Sequence, residues 1–357
     1  MKLTIVVTTY NQEKYIGEAI EGFLKQKTNF DYKIVISNDA STDGTRKILN
    51  EYKEKYPTKF EIIENKQNLG AMKNFINTLA QIKDTEYVAL CDGDDFWTDE
   101  NKLQKQVDFL DANPDFNICC HYAKVFYQNN EKGEQIIPND VEDITTLEDL
   151  VKQNYIVANS VVYRWKFNNM DLKEVFPTDI VPGDYYVHLL HAQDGKIKTI
   201  KEVMSAYRRH SEGMWWSCEN EEKEKFISKY GRKFLNFYNA ADKYMKLPEN
   251  SFYAQRKDII YNIIVVYTKL GNSLKIQDEI ISQKDKELYQ EAMQDIVNRN
   301  LWFIDYIIQK DKEEKEKEHN QTVCSDSKIN NIKLISFFRK VKKKLMTIIR
   351  NKNSNNK

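Results

Sequence analysis

The stretch "EYVALCDGDD", residues 86–95, decides how this chain is read. An apolar run from Tyr87 to Cys91 ends directly in Asp92, Asp94 and Asp95, and Asp99 and Glu100 follow closely. Such a run is a buried strand. Carboxylates crowded at its end repel one another unless a cation or good solvation offsets them. Hard divalent cations take oxygen ligands, and Mg2+ commonly takes one or two carboxylates together with substrate phosphates. Asp92 and Asp94, two apart on a turn, can aim into one cleft. An EF-hand loop is excluded, because its sixth position calls for glycine and Trp97 stands there. A plain solvated turn is the alternative. Asp99 and Glu100 fit the acidic first turn of the next helix.

Upstream, the same strand-to-polar transition recurs. "LTIVVTTYN", "YKIVISNDAS" and "KFEIIENK" read as strands. Between them "EKYIGEAIEGFLKQ" carries Ile16, Ile20, Phe23 and Leu24 at helical spacing, and "TDGTRKILNEYKEKY" and "LGAMKNFINTLAQI" are further helices. "NKLQKQVDFLDAN" follows the carboxylates with Leu103, Val107 and Leu110 on one side. Continuous apolar strands alternating with helices predict an α/β, mainly parallel sheet covered on both faces. Ligands in such folds bind at the carboxyl ends of strands. The polar clusters Thr8 to Asn11, Asn38 to Asp43 and Asp92 to Asp95 all sit there.

Beyond about residue 117 the pattern weakens. "ICCHYAKVFYQ" and "NSVVYRW" look like strands, and "TTLEDLVKQ" like a helix capped by Thr145 or Thr146, with Glu148 near its third position. Residues 220–310 are mostly helical, with aromatics such as Phe234, Phe237 and Tyr238 expected in the core. The chain has 357 residues, zero formal net charge and five cysteines without a CxxC pair. That balance gives no global field for nucleic acid, and the cysteine usage suits a reducing cytoplasm. The first residues are too polar for a signal peptide, and no apolar run is long enough to span a bilayer.

Four segments together, "TIVVTTYNQEKYIGEAIEGFLKQ", "SNDASTDGT", "NLGAMKNF" and "CDGDDFWTDENKLQKQVDFL", resemble family 2 glycosyltransferases. The resemblance covers residues 1–125 strongly and continues more loosely to about 216. It implies the GT-A fold, with a glycosyltransferase domain over 1–216 divided into a nucleotide-binding part, 1–120, and an acceptor part, 121–216. A helical region over 217–318 and a charged linker with a terminal helix over 319–357 follow. The family's DxD motif matches Asp92, Gly93 and Asp94. By the same resemblance, Thr8, Thr9, Tyr10 and Asn11 lie near the nucleotide base and ribose, and Asp39 contacts the base. A carboxylate suits uracil, whose ring N–H donates. Asp43 is the plainer helix-cap residue. Asn68 and Gly70 match the loop lining sugar and diphosphate. Asp94 would hold Mn2+ or Mg2+ most directly, with Asp92 in the ribose, sugar or metal shell.

A base must still take the acceptor's proton. Asp184, opening a helix with Tyr186, Leu189 and Leu190, matches the family's catalytic base, although Gly183-Asp184 replaces the usual acidic pair. An ordinary helix cap is the alternative role, and Asp179 is the alternative base. "AYRRHSEGMWW" resembles the segment in which His210 completes the metal or diphosphate shell and Arg208 or Arg209 neutralises phosphate. His188 and His191 read as packing or surface residues. Trp215 and Trp216 would stack on a sugar, form a lid or pack in the core.

After Asp326 no acidic residue occurs. On a helical wheel Leu334, Phe337, Phe338, Val341, Leu345 and Ile349 share one half with other apolar residues, and most of the Lys and Arg residues share the other. Residues 332–350 therefore read as a basic amphipathic helix for an anionic membrane surface, or as a helix docked on protein. The sequence reading is a metal-dependent, inverting transferase. It takes a sugar from a nucleotide diphosphate donor, a UDP-sugar, to a glycan or lipid-linked acceptor in bacterial surface-glycan assembly. It is cytoplasmic and peripheral on the inner face of the plasma membrane. The alternatives are a sugar-phosphate nucleotidylyltransferase and an inactive nucleotide-sugar-binding scaffold. The QxxRW motif of processive synthases is absent.

Overall fold

The computed structural model describes residues 1–127, 133–168, 170, 172–213, 223–270, 275–280 and 282–298. Strands β1 (Leu3–Thr9), β2 (Tyr32–Asn38), β3 (Phe60–Glu64) and β4 (Tyr87–Asp92) are parallel and lie in the order β3-β2-β1-β4. Helices α1 (Ile16–Leu24), α2 (Thr45–Lys55) and α3 (Ala71–Leu79) connect them. Leu3, Ile5, Val7, Ile34, Ile36, Tyr87 and Ala89 are fully buried, and α1 lays Ile16, Ala19, Ile20 and Phe23 over them. This burial on both faces is what the uninterrupted apolar runs foretold. The pairing register sets Thr9 opposite Asn38 and Thr8 opposite Asp92. Three strands thus end at one edge, each in polar residues.

The sheet continues past β4 in mixed orientation. Strand β5 (Phe96–Trp97) follows the carboxylates, then α4 (Lys102–Ala112), β6 (Phe116–Tyr127), β7 (Gln135–Ile137), β8 (Ile144–Thr145) and α5 (Leu147–Lys152). Strand β9 (Val162–Arg164) sits antiparallel between β4 and β6, and β10 (Lys196–Arg209) pairs parallel with β6 and antiparallel with β5. Strand β10 was not foreseen: its apolar alternation is broken by register shifts between Ile200 and Ser205, which move successive side chains to the other face. The segment "NSVVYRW" is strand only at its centre, because Ala158–Ser160 form a 3-10 turn. Helix α5 is capped by Thr146, and Asp149 rather than Glu148 closes the box, since the first helical residue is Leu147.

Helices α6 (Leu172–Val175), α7 (Gly183–Ala192), α8 (Lys223–Tyr244), α9 (Tyr253–Lys269) and α10 (Lys275–Glu279) complete the first compact unit, Met1–Glu279. Helix α8 packs its aromatic stripe inward: Phe237 is fully buried and stacks on Tyr185 with ring centroids 5.2 Å apart. The second unit begins at Ile280, and its described part is helical over 283–298. No helix of the described residues is long and apolar enough to cross a membrane. Cys91, Cys119 and Cys120 are buried free thiols, whereas Cys218, Cys324, the tryptophan pair Trp215 and Trp216, and the basic segment 332–350 lie outside the described residues.

Candidate active site

A cleft of about 1120 Å³ opens at the edge where β1, β2 and β4 end. Thr8, Thr9, Tyr10, Asn11, Asp39, Asn68, Gly70, Asp92, Asp94, Asp184, Arg208 and His210 all border it, so residues more than 200 positions apart in sequence meet there. Gly93 does not border it. Its N–H donates to the Thr8 carbonyl at 3.1 Å, and a Cβ there would lie 2.4 Å from Gln12 Oε1 and 3.0 Å from Thr9 Cβ. Glycine lets the turn press onto the loop after β1.

That loop is stitched to its neighbours. Asn11 Oδ1 accepts from the Thr42 N–H at 2.8 Å, and Asn11 N–H donates to Ser41 Oγ at 2.9 Å. Asp43 accepts from the Glu13 and Thr45 N–H groups, the plain capping role expected of it. Asp39 is different. Its buried carboxylate accepts from Asn65 Nδ2, the Leu69 N–H and the Gly70 N–H at 2.8–2.9 Å. It therefore holds the loop before α3, in which Gly70 takes a φ of +83°, a conformation that favours glycine.

The carboxylate turn is fixed from β10. Asp95 is 2% exposed, and its two oxygens accept from the Arg208 N–H and from Asn159 Nδ2, each at 2.8 Å. The Arg208 guanidinium donates to the Asp94 carbonyl at 2.8 Å and to the Glu18 carboxylate, and lies 4.7 Å from the ring centroids of Tyr15 and Phe126. It braces the turn, so a free phosphate clamp is not what this side chain presents. His210 Nε2 is 3.0 Å from Asp94 Oδ2, and its Nδ1 is buried without a hydrogen-bond partner among the described residues. Asp99 and Glu100 turn away to Lys105 and Lys27, as acidic residues ahead of α4 should.

Asp184, in the first turn of α7, also borders the cleft, and its Oδ1 accepts from the Tyr185 N–H at 2.8 Å. Asp179 does not border the cleft and is held by Asn236 and Lys233. Enclosure by protein, then the charges of Asp94 and Asp184, push the Asp92 pKa up to about 7. Its oxygens are open to cleft water all the same, which tempers the first of these causes and leaves the like-charge cause intact. Burial raises Asp184 too, and burial with Asp94 and Asp92 as neighbours raises Asp95 well above the carboxylate range. A site that disfavours so much negative charge is one that a cation would relieve. Among the described residues, no group of three His, Cys, Asp or Glu side chains is arranged to hold a metal. The donor set suits a cation that takes one or two carboxylates here and phosphate oxygens from a ligand.

Lys225, Phe226, Lys229 and Tyr230 of α8 also border the cleft. The sequence reading missed them, and also missed Asp95 and Asn159 as the supports of the turn. Only the adjacency of Asp95 to the DxD pair hinted at its part.

The family described as Glycosyl transferase family 2 matches residues 4–212. An uncharacterized protein of Mycobacterium tuberculosis is 39% identical over 222 residues, 62% of this chain and 63% of the relative. The match thus spans under two thirds of that relative's length. An uncharacterized glycosyltransferase of Nostoc sp. is 28% identical over 220 residues, 59% of this chain and 65% of the relative. Among solved structures, S. aureus TarS 1-349 in complex with UDP-GlcNAc superposes with a TM-score of 0.52 at 19% identity, covering 83% of this chain and 81% of that one. At that identity the likeness shows the fold.

Proposed function

Because the chain belongs to glycosyl transferase family 2 and has the GT-A fold, we propose that it moves a sugar from a nucleotide diphosphate donor, a UDP-sugar, to a hydroxyl of a glycan or lipid-linked acceptor. The pathway is bacterial surface-polysaccharide assembly. One observation carries the reading: Asp92 and Asp94, at the carboxyl end of a parallel strand, border the same cleft as Asp184.

Thr8, Thr9, Tyr10, Asn11 and Asp39 take the base and ribose, and the Asn68–Gly70 loop lines the sugar and diphosphate. Asp94 and Asp92, with His210 beside Asp94, would hold Mn2+ or Mg2+, which supplies charge stabilisation for the departing diphosphate. Asp184 accepts the proton of the acceptor hydroxyl. The acceptor oxygen bonds to the anomeric carbon from the face opposite the diphosphate, whose C–O bond breaks, so configuration inverts. Enclosure raises the Asp184 pKa, which brings a carboxylate closer to the range useful in a general base. The basic amphipathic segment 332–350 supports attachment to an anionic membrane surface on the cytoplasmic side.

The test is hydrolysis of a panel of nucleotide sugars, with and without Mn2+ or Mg2+, by wild type, Asp94→Ala and Asp184→Asn. Metal-dependent UDP release from one donor, lowered about hundredfold or more in each variant, is the expected result. Pyrophosphate release from a nucleoside triphosphate and a sugar phosphate would instead make the protein a nucleotidylyltransferase.

A further inference from the structure

Behind Asp184, on the side away from the cleft, lies a buried pair that the reaction as described does not use. His188 is one helical turn along α7 and 0% exposed. Its Nε2 is 4.0 Å from Asp184 Oδ2 and has no hydrogen-bond partner among the described residues. Its Nδ1 is hydrogen-bonded to the hydroxyl of Tyr163, a β9 residue that is itself fully buried. The ring of His191 stacks on Tyr163 with centroids 4.4 Å apart, which fixes the phenol.

The proton positions follow from donor and acceptor arithmetic. A phenol has one proton to give, and in a buried site it needs an acceptor. If Tyr163 donates to Nδ1, the neutral imidazole carries its proton on Nε2. That places the N–H on the nitrogen that lies 4.0 Å from Asp184 Oδ2, where the Ile156 backbone is a competing acceptor. The opposite tautomer would leave the phenol proton unpaired and set a lone pair against a carboxylate, two costs at once. Burial keeps both groups neutral: it lowers the His188 pKa to about 3 and raises Tyr163 well above its usual value.

We propose that His188, held by Tyr163 with its proton on Nε2, is a positioning residue that steadies the Asp184 carboxylate as it takes the acceptor's proton. The proposal rests on the reading of Asp184 as the base. A separation of 4.0 Å is too long for a hydrogen bond, and the proposal requires the two groups to draw together. Such contacts commonly tighten only when substrate is bound.

Two measurements test it on the full chain. With 15N-labelled histidine, long-range NMR shifts of wild type and Tyr163→Phe report the tautomer of His188. The expected result is Nε2–H in wild type and loss of that preference in Tyr163→Phe; an Nδ1–H ring in wild type would overturn the proposal. Hydrolysis of UDP-glucose and UDP-N-acetylglucosamine with Mn2+ is then followed in His188→Leu, His188→Gln and Asp184→Asn. His188→Leu should lower kcat roughly ten- to hundredfold, the worth of a hydrogen bond to a charged group, with donor KM held within about twofold. His188→Gln, whose amide can present a donor in a similar place, should recover most of that loss. Equal losses in Leu and Gln, or a change in KM alone, would reduce His188 to a packing residue. An undiminished Asp184→Asn would remove the base reading itself, a separate failure.

Discussion

Replacing Asp39 by alanine tests whether the carboxylate after β2 builds the proposed nucleotide pocket or would only touch a bound nucleotide. In the ligand-free protein it accepts three hydrogen bonds from the Asn65–Gly70 loop. Two of those donors have second partners: Asn65 Nδ2 also reaches Asn74 Oδ1 at 2.8 Å, and the Gly70 N–H also reaches Asn68 Oδ1 at 3.0 Å. The Leu69 N–H depends on Asp39 most. A hydrogen bond to a charged group contributes about 1.5–3 kcal/mol, and a neutral one about 1 kcal/mol. The loop is partly exposed, so water takes up part of what alanine releases. The loss should be about 2–3 kcal/mol, or roughly 3–5 °C in melting temperature for the unit Met1–Glu279. The assay is hydrogen exchange over residues 65–70 without nucleotide, beside calorimetric UDP binding with Mn2+. Protection of Leu69 and Gly70 should fall about thirtyfold or more, and UDP affinity should fall with it. Unchanged exchange in the free protein, with UDP binding lost, would refute the reasoning: Asp39 would then act on the ligand alone.

Lys102 is fully buried, 2.9 Å from Gln106 Oε1 and 4.0 Å from the Trp97 ring centroid, and burial lowers its pKa to about 7. Between pH 7 and the unfolded value near 10.5 the unfolded chain binds the extra proton, so stability contributed through this group rises with pH in that window and is flat below it. Urea unfolding of wild type and Lys102→Met from pH 6 to 8.5 should show wild type gaining on the variant above pH 7, by at most about 1.4 kcal/mol per pH unit; the buried cysteines cancel in that difference, and parallel curves would contradict it. Gly93→Ala should cost about 1–3 kcal/mol by overpacking, read by thermal unfolding, because the added Cβ would press on Thr9 Cβ and Ile16 Cδ1, each 3.0 Å away, as well as on Gln12 Oε1.

The alternating strands and helices of the first 112 residues were legible because each buried strand is a continuous apolar run, and the register then carried their polar ends to one edge. The later half was less so. Strand β10 changes face at its bulges, which hides its period. Arg208 read as a phosphate ligand because local sequence shows a cation and not its partner, Glu18, 190 residues away. Asp94 and Asp95 are neighbours of one chemistry, and local sequence does not show that Asp95 spends its oxygens on Arg208 and Asn159 while Asp94 Oδ2 meets His210. His188 was expected to pack, and it does. What it packs behind, four residues back on the same helical face, was available in the spacing and was passed over.

The pairing of β5 with β10 has a consequence for the order in which the protein can become complete on the ribosome. The four parallel strands are all synthesised by residue 92, but the acidic turn that follows them is fastened by Ser205, Ala206, Arg208 and His210. A nascent chain that has emerged only to the end of β6 has all four parallel strands but lacks the residues that brace its carboxylates. The proposed ligand binding would therefore be among the last properties this chain acquires during translation, although most of the residues assigned to it are among the first to be made.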